Sequence, residues 1–261
     1  MLHKICDVIY NVMMQGRQKS RNIVVGKSYA KKLLRFLLIV TTLLLLAHLL
    51  MQFLNMNVFH QQNGQIYELS NRFDLDDEAS VQTWFTQALF LAISGLAALS
   101  AYLQAAKPER RLWTVISIIG LVISVDEIAG LHERVLQSIH VLFFYDSAPI
   151  GFANAWLLIL PFVILGMCWL GWAVYRILPR HISLLFILCG VTYLSGAMFL
   201  DLFISVTPRE NFLNQGVLVA VEESLEIISV VIALYAIADY LERYHYNTIN
   251  SALKKLKPEY K

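Results

Sequence analysis

Apolar residues in this chain gather into six long runs that are separated by short polar segments. A helix needs roughly 20 apolar residues to cross a hydrocarbon core of about 30 Å, and each run is long enough. The predicted transmembrane helices span residues 33–54, 81–103, 112–134, 152–177, 182–206 and 215–241. The pattern therefore predicts an all-α, polytopic membrane protein with six transmembrane helices in one bundle.

The composition agrees with this pattern, because 57% of the residues are hydrophobic and only 15% are charged. An ordinary soluble domain has fewer apolar and more charged residues. The cysteines are Cys6, Cys168 and Cys189, and their spacing indicates neither a disulfide framework nor a thiolate metal site. We expect membrane lipid to surround the helices, and we expect no nucleic-acid partner.

The basic residues predict the orientation of the six helices. If the chain crosses six times, 18 of the Lys and Arg residues share the side of the termini, and three lie on the other side. Cytoplasmic loops carry the excess of Lys and Arg, so we expect both termini in the cytoplasm. Residues 1–32 then form a cytoplasmic basic arm, and residues 242–261 form a cytoplasmic basic tail.

The acidic residues divide in the opposite way, since 14 of the 19 fall in the outer loops or the outer halves of the helices. The third predicted helix carries Asp126 and Glu127 near its end, within the segment SVDEIAGLHE. The sixth begins with VEESLE, where Glu222 and Glu226 share a face and Glu223 can join them. Ionisable groups inside membrane helices are costly, and they usually have a function.

Further candidate groups reach a similar depth. Asp126 and Glu133 are seven residues apart and share a helical face with Gly130 between them. His132 follows Asp126 by six residues and does not share that face, so we expect an unwound or kinked helix end near Gly130. Asp201 lies near the outer end of the fifth helix, and His48 lies near that of the first.

Such a cluster of acids predicts a bound cation, because like-charged carboxylates in low dielectric cannot all ionise alone. Carboxylates with one or two imidazoles suit iron, zinc, manganese or magnesium. A divalent metal would take its ligands from these residues: His48, Asp126, His132, Glu133, Asp201, Glu222 and Glu226. Glu127 or Glu223 would act as the acid/base. The spacing does not match the Glu-x-x-His motif of di-iron bundles.

Nearby residues have simpler interpretations. Asp77, Glu78 and Ser80 precede the second helix and suit its N-cap and first turn. Tyr193 is most simply a core or interfacial aromatic. Asp239, on the cytoplasmic half of the sixth helix, is expected to pair with Arg243 four residues on.

Two segments resemble those of a known group of proteins. FDLDDEASVQTWF (73–85) and SVDEIAGLHE (124–133) are similar to segments of bacterial polytopic inner-membrane proteins with the patterns FDLDxEASxxTWF and SxDExxxxHE. The resemblance implies a bacterial cytoplasmic membrane and carries no activity. The ceramidase-like membrane hydrolases hold zinc with an HxxxH pair, and this chain contains no HxxxH.

Three functions follow from the predicted site. The leading hypothesis is a metal-dependent hydrolase that acts on a lipid or lipid-linked substrate from the outer leaflet. A cation or proton-coupled transporter could use the same acids, but Asp239 offers little for an inner pathway. The third is a subunit of a membrane complex, with the acids facing another copy or a partner chain.

Overall fold

The computed structural model describes residues 28–57, 72–75, 80–131, 134–135, 138–139, 142, 151–200 and 217–256. Within these ranges the side chains of 55–57, 151–158 and 253–256 are not described.

Six long helices make up nearly all of the described chain. They are α1 (Tyr29–Asn57), α2 (Val81–Leu103), α3 (Lys107–Ala129), α4 (Gly151–Ile177), α5 (Arg180–Leu194) and α6 (Val219–Leu256). A π-helical segment, Ser195–Leu200, continues α5. Each helix is long and apolar enough to cross a membrane, counting this segment with α5. The predicted all-α fold with six membrane-spanning helices is confirmed, and the protein is a multi-pass membrane protein.

Two helix ends differ from the hydropathy pattern. Helix α3 stops at Ala129, because Gly130 adopts the left-handed conformation with φ 54° and ψ 36°. Glycine enters this region without the steric cost that a Cβ would bring. Helix α6 continues to Leu256, well past the predicted end of the span at 241. The apolar run therefore marks only the first part of α6.

Helix α6 is the central element of the bundle. In its most apolar 18-residue window 61% of the residues are buried, against 6% in the corresponding window of α4. It contacts α1, α2 and α5, while α2 and α3 form a tightly packed antiparallel hairpin. Trp113, Ile182 and Ile237 are fully buried in the resulting core. Peripheral α4 instead presents large apolar side chains, as a lipid-facing helix does.

Contacts between the helices define two ends of the bundle. At one end, the acidic end, the last turns of α3 and α5 meet the first turns of α2 and α6. The hydroxyl of Ser124 donates to the backbone oxygen of Gln87 there, at 3.2 Å. At the other end, the basal end, the amide groups of Tyr29 and Ala30 donate to the carboxylate of Glu242 at 3.1 and 2.9 Å. Glu242 thus caps the start of α1 from the late part of α6.

The basal end also holds the paired Asp239. Its Oδ2 accepts a hydrogen bond from Nε of Arg243 at 2.7 Å and lies 3.5 Å from Nε2 of His181. The expected pairing of Asp239 with Arg243 is confirmed. Asp239 is buried, and its contact with His181 joins α6 to the start of α5.

Candidate carboxylate site

The last turn of α3 carries the first pair of acids. Asp126 and Glu127 are both half-buried there. The Ser124 contact holds this turn against α2, and the amide of Gly130 donates to the backbone oxygen of Asp126 at 2.8 Å. The two carboxylates therefore project from a turn whose backbone is fixed on both sides.

The first two turns of α6 carry the second group of acids. Glu222 lies in the first turn, and Glu223 and Glu226 follow within one further turn. All three are half-buried. Acids at this position are favoured by the positive end of the helix dipole. Their location on the central helix places them beside α5 rather than at the edge of the bundle.

The π-helical segment presses α5 against this part of α6. A Cβ added to the buried Gly196 would stand 2.9 Å from the backbone oxygen of Glu222 and 3.2 Å from Cγ of Glu226. Only glycine permits such a close approach of two helices. Short π-helical segments are frequent at functional sites, because they shift the register of the side chains that follow.

Tyr193, one turn before Gly196, connects the two groups of acids. Its phenol lies within electrostatic range of Glu226, Glu127, Glu223 and Asp126. Acids from α3 and acids from α6 thus both lie near one side chain of α5. Each of these acids, and Glu222 as well, makes polar or electrostatic contacts within the chain. We call Tyr193 with Asp126, Glu127, Glu222, Glu223 and Glu226 the carboxylate site.

His48 is fully buried at the acidic end and connects α1 to the segment before α2. Its Nδ1 accepts a hydrogen bond from the amide of Leu75 at 3.1 Å and lies 3.6 Å from Oδ1 of Asp74. Gln52 donates to the other oxygen of Asp74 at 3.0 Å. An Nδ1 that accepts from a backbone amide carries no proton, so in this arrangement the hydrogen of a neutral imidazole lies on Nε2.

The remaining predicted ligands, His132, Glu133 and Asp201, lie outside the described residues. The helix break expected near Gly130 is confirmed by its left-handed backbone. The helical spacing that would place Asp126 and Glu133 on one face also ends at Gly130. The positions of His132 and Glu133 relative to Asp126 therefore do not follow from helical periodicity.

The described acids do not by themselves make up a metal centre. Across the ranges that the structure describes, no three His, Cys, Asp or Glu side chains are grouped closely enough to hold a metal ion. A centre built on Asp126, Glu222 and Glu226 needs the additional ligands named above. The divalent metal therefore stays a prediction.

Sequence reasoning found the acids but missed two neighbouring polar groups. Tyr193 was predicted to be a core or interfacial aromatic, and hydropathy cannot tell which face of α5 it occupies. Gln82, which is 2% exposed, was not singled out. A signal was available, because Gln82 and Thr86 are four residues apart in a membrane helix and so share a face.

The predicted N-cap role of Ser80 is confirmed, as its hydroxyl accepts from the amide of Thr83 at 3.2 Å. Asp77 and Glu78 are not among the described residues.

Comparison with known proteins identifies one family. The family model described as "Domain of unknown function (DUF8692)" matches residues 36–240, a range that reaches from α1 into α6 and includes the carboxylate site. No curated protein and no solved structure matches the chain.

Proposed function

We propose a function from the geometry of the chain itself, because the chain belongs to the DUF8692 family and the description of that family names no activity. The proposal is an integral membrane enzyme of the hydrolase type that acts at the carboxylate site. One observation carries it: acids from two helices, α3 and α6, lie within electrostatic range of the phenol of Tyr193, beside a π-helical segment. Several carboxylates in one low-dielectric environment favour different protonation states.

The proposed chemistry uses those different states. One carboxylate, Glu127 or Glu223, accepts a proton from the attacking water. The other carries a proton and donates it to the leaving group of the substrate. Tyr193 lies within electrostatic range of acids of both helices, and in this proposal its hydroxyl, which can both donate and accept a hydrogen bond, would orient them.

The proposed substrate is a lipid or a lipid-linked molecule. Its reacting group would enter from the membrane, because the acids lie within apolar helices whose outer faces suit lipid. The excess of basic residues on the side of the termini supports an orientation with the acidic end outward. On this orientation the substrate comes from the outer leaflet of a bacterial inner membrane, and both termini are cytoplasmic.

A divalent metal remains a separate part of the proposal. Iron, zinc, manganese or magnesium would bind to acids of the site together with ligands from His132, Glu133 and Asp201. His48 would join them only after its Nδ1 is released from the amide of Leu75. Such an ion would stabilise negative charge on the substrate oxygen. No step assigned above to Glu127, Glu223 or Tyr193 depends on it.

A cation or proton-coupled transporter is the second candidate, and one contact argues against it. A transporter needs a second group that receives the ion on the other side. Asp239, the buried acid of the basal end, is held by Arg243 at 2.7 Å. This pair must open before Asp239 can take up an ion. A role as a membrane-complex subunit stands third, with a homo-oligomer or partner chain covering the acids.

The test of the enzyme is lipid turnover by the purified full-length protein. The protein is reconstituted into vesicles of bacterial total lipid extract, and released products are followed by mass spectrometry. We expect Glu127→Gln and Glu223→Gln each to slow turnover by about 10²- to 10⁴-fold, the usual contribution of a general acid or base. Glu109→Gln, a half-buried acid at the basal end of α3, is the matched control and should leave turnover unchanged.

Two measurements test the enzyme and the bound metal separately. Equal turnover in wild type and in the double variant of Glu127 and Glu223 would reject the enzyme. Metal analysis of wild type and of the double variant Glu222→Gln, Glu226→Gln, purified at neutral pH without chelator, tests the ion. Wild type without metal would reject the metal part alone.

A further inference from the structure

Gln82 is a buried amide without a partner at the acidic end of the bundle. Four buried side-chain nitrogen and oxygen atoms in the described part of the chain lack a hydrogen-bond partner, and two of them are Nε2 and Oε1 of Gln82. The residue is 2% exposed. Burying both ends of an amide without hydrogen bonds costs free energy, so a position that retains them is a candidate for ligand binding.

The packing of α2 directs Gln82 towards α6. Helix α2 packs against α3 and α6. Its α3 side is marked by Ser94, whose hydroxyl and backbone oxygen meet the hydroxyl of Ser117. Its α6 side is marked by Gln104, which contacts Tyr240 and His245. Gln82 lies on the same face as Gln104, about six turns earlier on the helix.

The depth of Gln82 matches that of the carboxylate site. Helices α2 and α6 run in the same direction from the acidic end. Helix α6 contacts Gln104 at Tyr240 and His245. The first turns of α6 lie about six turns before that contact. Glu222 and Glu223 begin that helix. On the α3 side, the contact of Gln87 with Ser124 likewise places Gln82 level with the end of α3, just after Glu127.

We propose that Gln82 is a ligand-binding residue of the carboxylate site, and that the ligand is a lipid headgroup that carries both a primary amine and an oxyanion. The Nε2 amide donates to the oxyanion, and Oε1 accepts from the ammonium group. The acids of α3 and α6 give the site a negative field that attracts the ammonium. This inference rests on the proposed function for the location of the substrate, and it adds the class of headgroup.

The two ends of the Gln82 amide and the acids around them together require a ligand with a primary amine. A quaternary ammonium has no N–H to offer to Oε1. A headgroup with only hydroxyls and a phosphate meets the acids with net negative charge, which they repel. A primary amine with a phosphate satisfies the donor, the acceptor and the surrounding field together.

The experiment compares two headgroups of equal net charge, one whose nitrogen carries N–H groups and one whose nitrogen carries methyl groups instead. The full chain is reconstituted in nanodiscs with equal amounts of phosphatidylethanolamine and phosphatidylcholine of the same acyl chains, and retained lipids are counted by native mass spectrometry. We expect wild type to retain phosphatidylethanolamine about tenfold more, the effect of one or two hydrogen bonds. Gln82→Met, which keeps the length but removes both polar ends, should reduce this preference to less than about twofold.

Two controls separate binding from folding. Gln87→Met makes the same change at a half-buried position of α2 that faces α3, and it should keep the preference. Gln82→Met should unfold at the same or a higher fraction of SDS than wild type after lipid is stripped, because it removes two unsatisfied buried atoms. A variant that is less stable and still prefers phosphatidylethanolamine would show that Gln82 is structural, and the inference would be wrong.

Other outcomes also decide the question. Equal retention of both lipids by wild type, or preferred retention of added phosphatidylglycerol, overturns the inference. Preference for phosphatidylethanolamine that depends on Gln82 but comes without lipid turnover supports the inference and rejects the enzyme. Turnover of lipids without this preference supports the enzyme and rejects the inference.

Discussion

Gly196 is the residue through which the packing of the carboxylate site can be tested most sharply. In Gly196→Ala the added Cβ would stand 2.9 Å from the backbone oxygen of Glu222, 3.1 Å from Cβ of Leu225 and 3.2 Å from Cγ of Glu226. Ordinary contacts of a Cβ begin at 3.4 Å, and a backbone oxygen cannot rotate away. Helices α5 and α6 must therefore separate by a few tenths of an ångström.

The expected cost follows from this overlap. Overpacking a close-packed interior costs about 1–3 kcal/mol, and the gain in helix propensity from Gly to Ala returns up to about 1 kcal/mol. We therefore expect Gly196→Ala to lower the free energy of unfolding by about 1–2 kcal/mol, which changes the folded-to-unfolded ratio roughly 5- to 30-fold. Equilibrium unfolding in mixed micelles, with SDS as denaturant and tryptophan fluorescence as signal, measures this change.

Gly190, in the same helix, provides the matched control. An added Cβ at Gly190 meets Cε of Met167 at 3.2 Å, and this flexible end of a side chain can move aside. Gly190→Ala should therefore be neutral or stabilising by up to about 1 kcal/mol. Equal stability of the Gly196→Ala and Gly190→Ala proteins would refute the tight packing of α5 against α6.

Three further substitutions test the ends of the helices in the same unfolding assay. Ser80→Ala removes the N-cap of α2 and should cost about 1 kcal/mol, and an unchanged stability would argue against the cap. Gly130→Ala places a Cβ at φ 54° and should cost about 1 kcal/mol, and an unchanged protein would contradict the left-handed end of α3. Asp239→Asn removes the charge that Arg243 and His181 meet, and we expect a loss of about 1–3 kcal/mol. Removing Arg243 as well should add little, and additive losses would argue against the pair.

Much of the fold could be predicted because membrane helices are selected by length and hydropathy. The predicted second span, 81–103, coincides with α2, and the other helices overlap their predicted spans. The end of α3 could not be read from hydropathy, since the backbone of Gly130 and not the apolar pattern stops that helix. The continuation of α6 to Leu256 was missed for the converse reason, because polar residues can extend a helix beyond the membrane.

The geometry of the carboxylate site could be predicted only in part from the sequence. The depth of Glu127 and Glu223 follows from counting residues along their helices. Their approach to Tyr193 depends on the rotation of α3, α5 and α6 about their own axes. Hydropathy does not predict this rotation. The π-helical segment at Ser195–Leu200 changes that rotation locally, and no residue pattern predicted this segment. Gln82 was missed because a single glutamine near a helix end is usually solvated.

The convergence of two helices on Tyr193 is the central claim, and the resonance of its phenol ring tests it directly. The full chain is labelled with ¹³C at the ζ carbon of tyrosine and studied in micelles, with the Tyr193 signal assigned through Tyr193→Phe. We predict that Glu127→Gln on α3 and Glu223→Gln on α6 each shift this signal, while Glu109→Gln at the basal end leaves it in place. A Tyr193 signal that responds to the acids of only one helix, or of neither, would contradict the site.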